Sequence, residues 1–240
     1  MSDQVCPYDL CDGTGFRIDE ATRTAHECRC RPIVVARAQT SNLSSVIPKR
    51  YRGASFDRPP VSGMPATVIR PVRRFCERIE ENLDAGSGLW LFGDVGTGKT
   101  TLAMIVAQAA LAARRSVAIY SLPRLLAEMR MTFEEGSEHS HVDLLNRLSA
   151  VDLLHLDDVG AERTSPWVLE QLYALVNARY EDERSMVITT NICDPDELRE
   201  QIGPRTVSRL SEMCEPIPLT GEDHRLEPEA RLPPPAQSRT

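Results

Sequence analysis

Gly93-Asp94-Val95-Gly96-Thr97-Gly98-Lys99-Thr100-Thr101 lies between two apolar runs, Leu89-Trp90-Leu91-Phe92 before it and Leu102-Ala103-Met104-Ile105-Val106 after it. Two glycines bracketing four residues, followed by Lys and Thr, form the phosphate-loop pattern. The flanks supply its required context, a short buried strand entering and a helix leaving. Glycines let the backbone close around phosphates, so that successive N–H groups and the helix N-terminus face the anion. Lys99 is then expected to reach the terminal phosphates, and the Thr100 hydroxyl to ligate magnesium. A Gly-rich turn that merely caps a helix would not need this combination. The stretch predicts an ATP site.

Two further strand-like runs carry polar residues at their ends. Leu153-Leu154-His155-Leu156 ends in Asp157-Asp158, and Ser185-Met186-Val187-Ile188-Thr189-Thr190 ends at Asn191. In an open parallel sheet, ligands gather at the carboxyl ends of the strands. Asp157 would there lie beside the magnesium, and Asp158 would orient or deprotonate the attacking water. Asn191 would hydrogen-bond that water or the γ-phosphate. Taken singly, the aspartates read equally as caps of the next turn and Asn191 as a turn residue. As a series behind a phosphate loop they read as a catalytic edge.

This order of motifs resembles the AAA+ ATPases. It includes Leu156-Asp157-Asp158-Val159-Gly160, Thr189-Thr190-Asn191 and Arg205-Thr206-Val207-Ser208-Arg209-Leu210. Asn177-Ala178-Arg179-Tyr180 and Ser208 to Cys214 narrow the resemblance, over residues 45–226, to the DnaC/IstB group of bacterial helicase loaders and transposition helpers. The resemblance implies an α/β fold: a P-loop NTPase core with a parallel five-stranded sheet flanked by helices. It also implies an arginine finger acting on a neighbouring subunit's ATP, for which Arg205 and Arg209 are both candidates. They lie four apart on one face of an expected helix; without the resemblance they read as surface partners of Glu212 or Glu215. Arg225 resembles a second sensor contacting nucleotide. Past it the chain carries Pro228 and Pro233-Pro234-Pro235, which break helices, so a truncated lid is expected.

The amino-terminal stretch holds Cys6, Cys11, Cys28 and Cys30. Two close pairs of thiols separated by a loop suit a structural zinc site, with His26 as a substitute ligand; the alternative is four free thiols. A disulfide is disfavoured, because no secretory signal precedes the cysteines and the chain reads as cytoplasmic. Cys76, Cys193 and Cys214 read as packing residues.

The chain has 240 residues and a formal net charge of −7. That charge argues against holding duplex DNA by bulk electrostatics. Any DNA contact must be local. In similar proteins the helix after the strand Val117 to Tyr120 lines the ring interior, so the resemblance makes its Arg124 and Arg130 candidates for single-stranded DNA. Taken singly, either reads as part of a solvated helix face. No run reaches a membrane span. The expected division is a zinc module at 1–31, a proline-punctuated linker at 32–66, an ATPase domain at 67–226 and a proline-rich tail at 227–240. A single helix is expected from Thr67 to Asn82, and a polar loop from Glu134 to His141.

Two functions follow from the resemblance. One is a loader that hydrolyses ATP slowly, self-assembles on ATP, contacts single-stranded DNA and delivers a hexameric replicative helicase. The cysteine module favours it, because similar loaders carry such a module. The other is a helper that binds duplex DNA and recruits a transposase. Asp158, shorter than the Glu common at its position in AAA+ proteins, also leaves open an ATP-bound adaptor that barely hydrolyses.

Overall fold

Five apolar runs become the strands β3 (Gly88–Gly93), β4 (Val117–Ser121), β5 (Leu153–Asp157), β6 (Ser185–Thr190) and β7 (Cys214–Leu219) of one sheet. Their spatial order is β4-β5-β6-β3-β7, with every pairing parallel. The computed structural model describes residues 6, 8–19, 24–31, 34, 47–132, 141–221, 223 and 224. A separate antiparallel hairpin joins β1 (Phe16–Asp19) to β2 (Thr24–Glu27).

Parallel strands need crossovers, and helices supply them. α3 (Lys99–Ala112) joins β3 to β4. α4 (Leu122–Met131) and α5 (His141–Ala150) lead to β5, and α6 (Pro166–Glu181) leads to β6. α7 (Pro195–Ile202) and α8 (Pro204–Met213) lead to β7. The expected helix over Thr67–Asn82 is two helices, α1 (Ala66–Glu77) and α2 (Ile79–Asp84). The chain breaks at Arg78 (φ −111°, ψ 34°), which aims Ile79 and Leu83 into the core that Val72 and Phe75 already enter. His141 opens a helix rather than ending a loop; the rest of that expected loop lies outside the described residues.

Strand alternation divides the core into two layers. Leu89, Leu91, Val117, Ile119, Leu153 and Val187 face α1–α3. Ala118, Tyr120, Leu154, Leu156, Met186 and Ile188 face the remaining helices. Covered on both faces, the strands are apolar almost throughout, as parallel strands are. β7 carries Pro216 and Pro218, whose donor-less nitrogens an edge strand tolerates. Among the described residues no helix is long and apolar enough to cross a membrane.

The amino ends of the strands are held by Arg179 of α6, a fully buried arginine. Its guanidinium donates to Leu148 O at 2.7 Å, Val151 O at 3.0 Å and Ser185 O at 2.5 Å. One side chain thereby ties the end of α5 to the starts of β5 and β6. Burial, then the charge of Arg184, pulls its pKa down to about 9, so it stays charged near neutrality.

Candidate functional site

The carboxyl ends of β3, β5 and β6 open on one edge of the sheet, and the expected site residues collect there. The loop after β3 turns at Gly93, Gly96 and Gly98, with φ of 144°, 79° and 91°. A side chain at Gly96 would collide with the Asp223 carboxylate, and one at Gly98 with the methyl of Met64. The His224 N–H donates to Gly96 O at 3.2 Å. Segments from both ends of the core therefore grip the loop.

Lys99 is nearly buried, and its ammonium donates to Gly93 O and Asp94 O, each at 2.6 Å. The Thr97 hydroxyl donates to Asp94 O at 2.8 Å. These bonds hold the loop in the curved form that a phosphate chain needs, with the cation already over it.

Asp157 Oδ1 is the meeting point of three elements. It accepts the Thr100 hydroxyl from α3 at 2.9 Å and the Thr189 hydroxyl from β6 at 2.6 Å. Thr189 Oγ1 in turn accepts the Asp158 N–H at 2.9 Å, and Thr189 O accepts the Val159 N–H at 2.8 Å. Burial by itself would raise the Asp157 pKa. Interactions with His155, Thr189 and Thr100 outweigh it and hold the carboxyl below its usual value. Asp158 sits at φ 56°, a left-handed backbone that side chains rarely adopt, with Gly160 turning at φ 90° behind it.

Asp158 and Asn191 line a cavity of about 540 Å³ together with Val95, Gly96, Gly98, Lys99, Thr100 and Thr101. Its other wall consists of Arg50, Tyr51, Arg58, Pro59 and Pro60. Those residues fall in the expected linker, and no local pattern gave them a place at the site. Tyr51 O accepts Gln108 Nε2 at 2.9 Å, which fastens the wall to α3. A hydroxyl and a carboxylate at 2.9 Å are hard oxygen donors, so Thr100 and Asp157 fit a magnesium ion.

The arginines lie elsewhere. Arg205 and Arg209 are both on α8, and neither lines the cavity. Arg209 stacks 4.1 Å over Tyr180, whose hydroxyl donates to Glu212 Oε2 at 2.6 Å. Arg205 is exposed and has no hydrogen bond or ion pair among the described residues. Glu215 pairs with Arg74 instead, at 3.3 Å. Arg124 and Arg130 are exposed on α4, and Arg130 lies 4.9 Å over Trp167. Arg225 lies outside the described residues.

Cys6, Cys11, Cys28 and Cys30 converge, with all four sulfurs within 4.8 Å of one another. Cys6 and Cys28 stand 3.8 Å apart, and Cys11 and Cys30 stand 3.3 Å apart. A tetrahedron of sulfurs bonded to zinc has edges of about 3.8 Å, so the cluster fits a metal. His26 is not part of it and lies 3.2 Å from the Thr24 hydroxyl. Burial would raise the Cys6 thiol, yet the amides of Leu10, Tyr8 and Cys11 draw it down to about 6. Burial, then the neighbouring sulfurs, pushes Cys30 up to about 12. Four sulfurs crowded this closely are what a bound cation would hold together as thiolates.

Comparison with known proteins agrees with this geometry. Residues 61–230 match the family model described as IstB-like ATP binding protein. The replicative helicase loader DnaC of Escherichia coli K12 is 30% identical over 174 residues, covering 72% of this chain and 68% of that protein. DnaC of Buchnera aphidicola subsp. Schizaphis graminum is 27% identical over 143 residues, which span 60% of this chain and only 56% of the relative. The crystal structure of a DnaC helicase loader superposes with a TM-score of 0.62 at 27% identity, over 72% of this chain and 100% of that one.

The phosphate loop gives a direct test. Gly96→Ala places a methyl group against Asp223 at a positive φ, where an L residue costs about 1 kcal/mol. ATP affinity by calorimetry is expected to fall about tenfold while the melting temperature changes little. Wild-type affinity would show that the grip on the loop has no bearing on binding.

Proposed function

The chain belongs to the family of IstB-like ATP-binding proteins, and on that premise we propose that it is an ATP-hydrolysing loader of a hexameric replicative helicase. The observation that carries the reading is that Lys99, Thr100, Asp158 and Asn191 line one cavity, with Asp157 bonded to Thr100 beside it.

On ATP binding, Lys99 exchanges its two carbonyl partners for phosphate oxygens, so the loop exchanges one set of hydrogen bonds for another. Thr100 and Asp157 hold magnesium, which neutralises charge on the phosphates. Asp158 orients or deprotonates the attacking water, and Asn191 senses that water or the γ-phosphate. A carboxylate one methylene shorter than glutamate suits slow hydrolysis that a partner stimulates. Arg205 is the better candidate for the finger acting in trans. Arg209 is engaged by Tyr180, whereas Arg205 is exposed near the start of α8.

Residues 1–31 form a zinc module that grips the helicase, and residues 32–66 link it to the ATPase domain at 67–226, with 227–240 as a tail. Single-stranded DNA meets the assembled subunits through Arg124 and Arg130. The similarity to DnaC loaders supports this reading. The IstB description of the family supports a second one, a helper that recruits a transposase on duplex DNA.

Asp158→Asn is expected to bind ATP as the wild type does and to lose at least about 90% of turnover. Lys99→Ala is expected to lose binding. Arg205→Ala should bind normally, hydrolyse slowly and regain part of its activity when mixed with Lys99→Ala. Wild-type turnover by Asp158→Asn would remove that residue from the mechanism. Captured on ATP, the Asp158→Asn protein is expected to retain the replicative helicase; retention of a transposase instead would decide for the second reading.

For the module, metal analysis of protein purified under reducing conditions is expected to return about one zinc per chain. Cys28→Ser should lose the zinc and helicase capture but keep ATP affinity. Metal-free wild-type protein, or full capture by Cys28→Ser, would overturn the assignment.

A further inference from the structure

β5 is apolar up to Asp157 except at His155. The ring is fully buried, and neither nitrogen has a hydrogen-bond partner among the described residues. Its register neighbours are Ile119 and Val187, both members of the apolar layer facing α3. An imidazole in such a place sacrifices its hydration without compensation, whereas Leu or Val would pack there at no such cost. Packing therefore does not account for the residue.

Strand alternation puts His155 and Asp157 on the same face, one directly behind the other. His155 Nε2 lies 3.6 Å from Asp157 Oδ1, the oxygen that also accepts the Thr100 and Thr189 hydroxyls. That separation is slightly too long for a hydrogen bond, and a small movement of the carboxylate would close it. Two hydroxyls in front and an imidazole behind confine Oδ1 within the protein. The second oxygen, Oδ2, takes no hydrogen bond among the described residues and is not fully buried, so it is the one left to face outward.

We propose that His155 is a positioning residue for Asp157, its Nε2–H fixing the carboxylate so that the outward oxygen is presented to a divalent cation. The inference rests on reading Asp157 as a magnesium ligand. It assigns part of the cation affinity of the site to a residue that never touches the cation. Outer-shell partners of this kind typically change metal affinity by 10–100-fold.

Manganese, detected by electron paramagnetic resonance, serves as the probe, with full-length protein and a non-hydrolysable ATP analogue. His155→Leu is expected to weaken Mn2+ binding about tenfold. Its nucleotide affinity in EDTA and its melting temperature should not fall, because an apolar side chain suits the surroundings. His155→Gln, which keeps a donor at the Nε2 position, is expected to recover most of the affinity. His155→Asn, whose amide nitrogen sits at the Nδ1 position, should not. Wild-type Mn2+ affinity in His155→Leu, or equal recovery by Asn and Gln, would overturn the proposal. If His155→Leu does not fold, the contrast between Gln and Asn decides. Asp157→Asn in the same assay separates the two claims, since unchanged Mn2+ affinity there would refute the underlying role of Asp157.

Discussion

One oxygen atom joins the parts of this molecule that matter for nucleotide chemistry. Asp157 Oδ1 accepts hydroxyls from α3 and β6, and so fixes the phosphate-loop helix, its own strand and the neighbouring strand at a common point. The bonds lie in a half-buried position, where each is worth more than in water. Thr189 extends the arrangement by accepting the backbone N–H of Asp158. The geometry of the second carboxylate therefore depends on the first. The side chain proposed to hold the cation thus also sets where the proposed water-orienting group stands.

The remaining structure serves that point from opposite ends. At the amino ends of the strands, Arg179 binds carbonyls of three chain segments and fixes the register from which β5 and β6 run toward the site. At the carboxyl ends, Met64 and Asp223 close on the phosphate loop through glycines that leave room for them. A parallel sheet packed on both faces deforms little. Movement on ATP binding is then expected in what grips the loop, the segments before α1 and after β7.

The fold was legible in the sequence because the phosphate loop is a strand, a turn and a helix at fixed spacing. Apolar runs of strand length then ended at Asp157 and Asn191. The cysteine cluster was legible for a similar reason, since four thiols in two close pairs have few other uses. What the sequence concealed depends on contacts between distant residues. Tyr51 and Arg58 read as linker because nothing local shows that a proline-rich stretch folds back to wall a cavity. Thr189 read as part of a β-rich run, and its hydrogen bond to Asp157 spans 32 positions. The break at Arg78 escaped because the apolar pattern continues through it, while the core requires a change of direction.

The central claim is that Asp157 and Thr189 act as one unit in building the site for magnesium and ATP. A double-mutant cycle with Asp157→Ala and Thr189→Val, read as affinity for magnesium–ATP by calorimetry, tests it most directly. Thr189→Val is expected to weaken binding when Asp157 is present and to have almost no effect in the Asp157→Ala background, with a coupling of about 1–2 kcal/mol. Equal losses in the two backgrounds would mean that Thr189 acts independently, and would contradict the account.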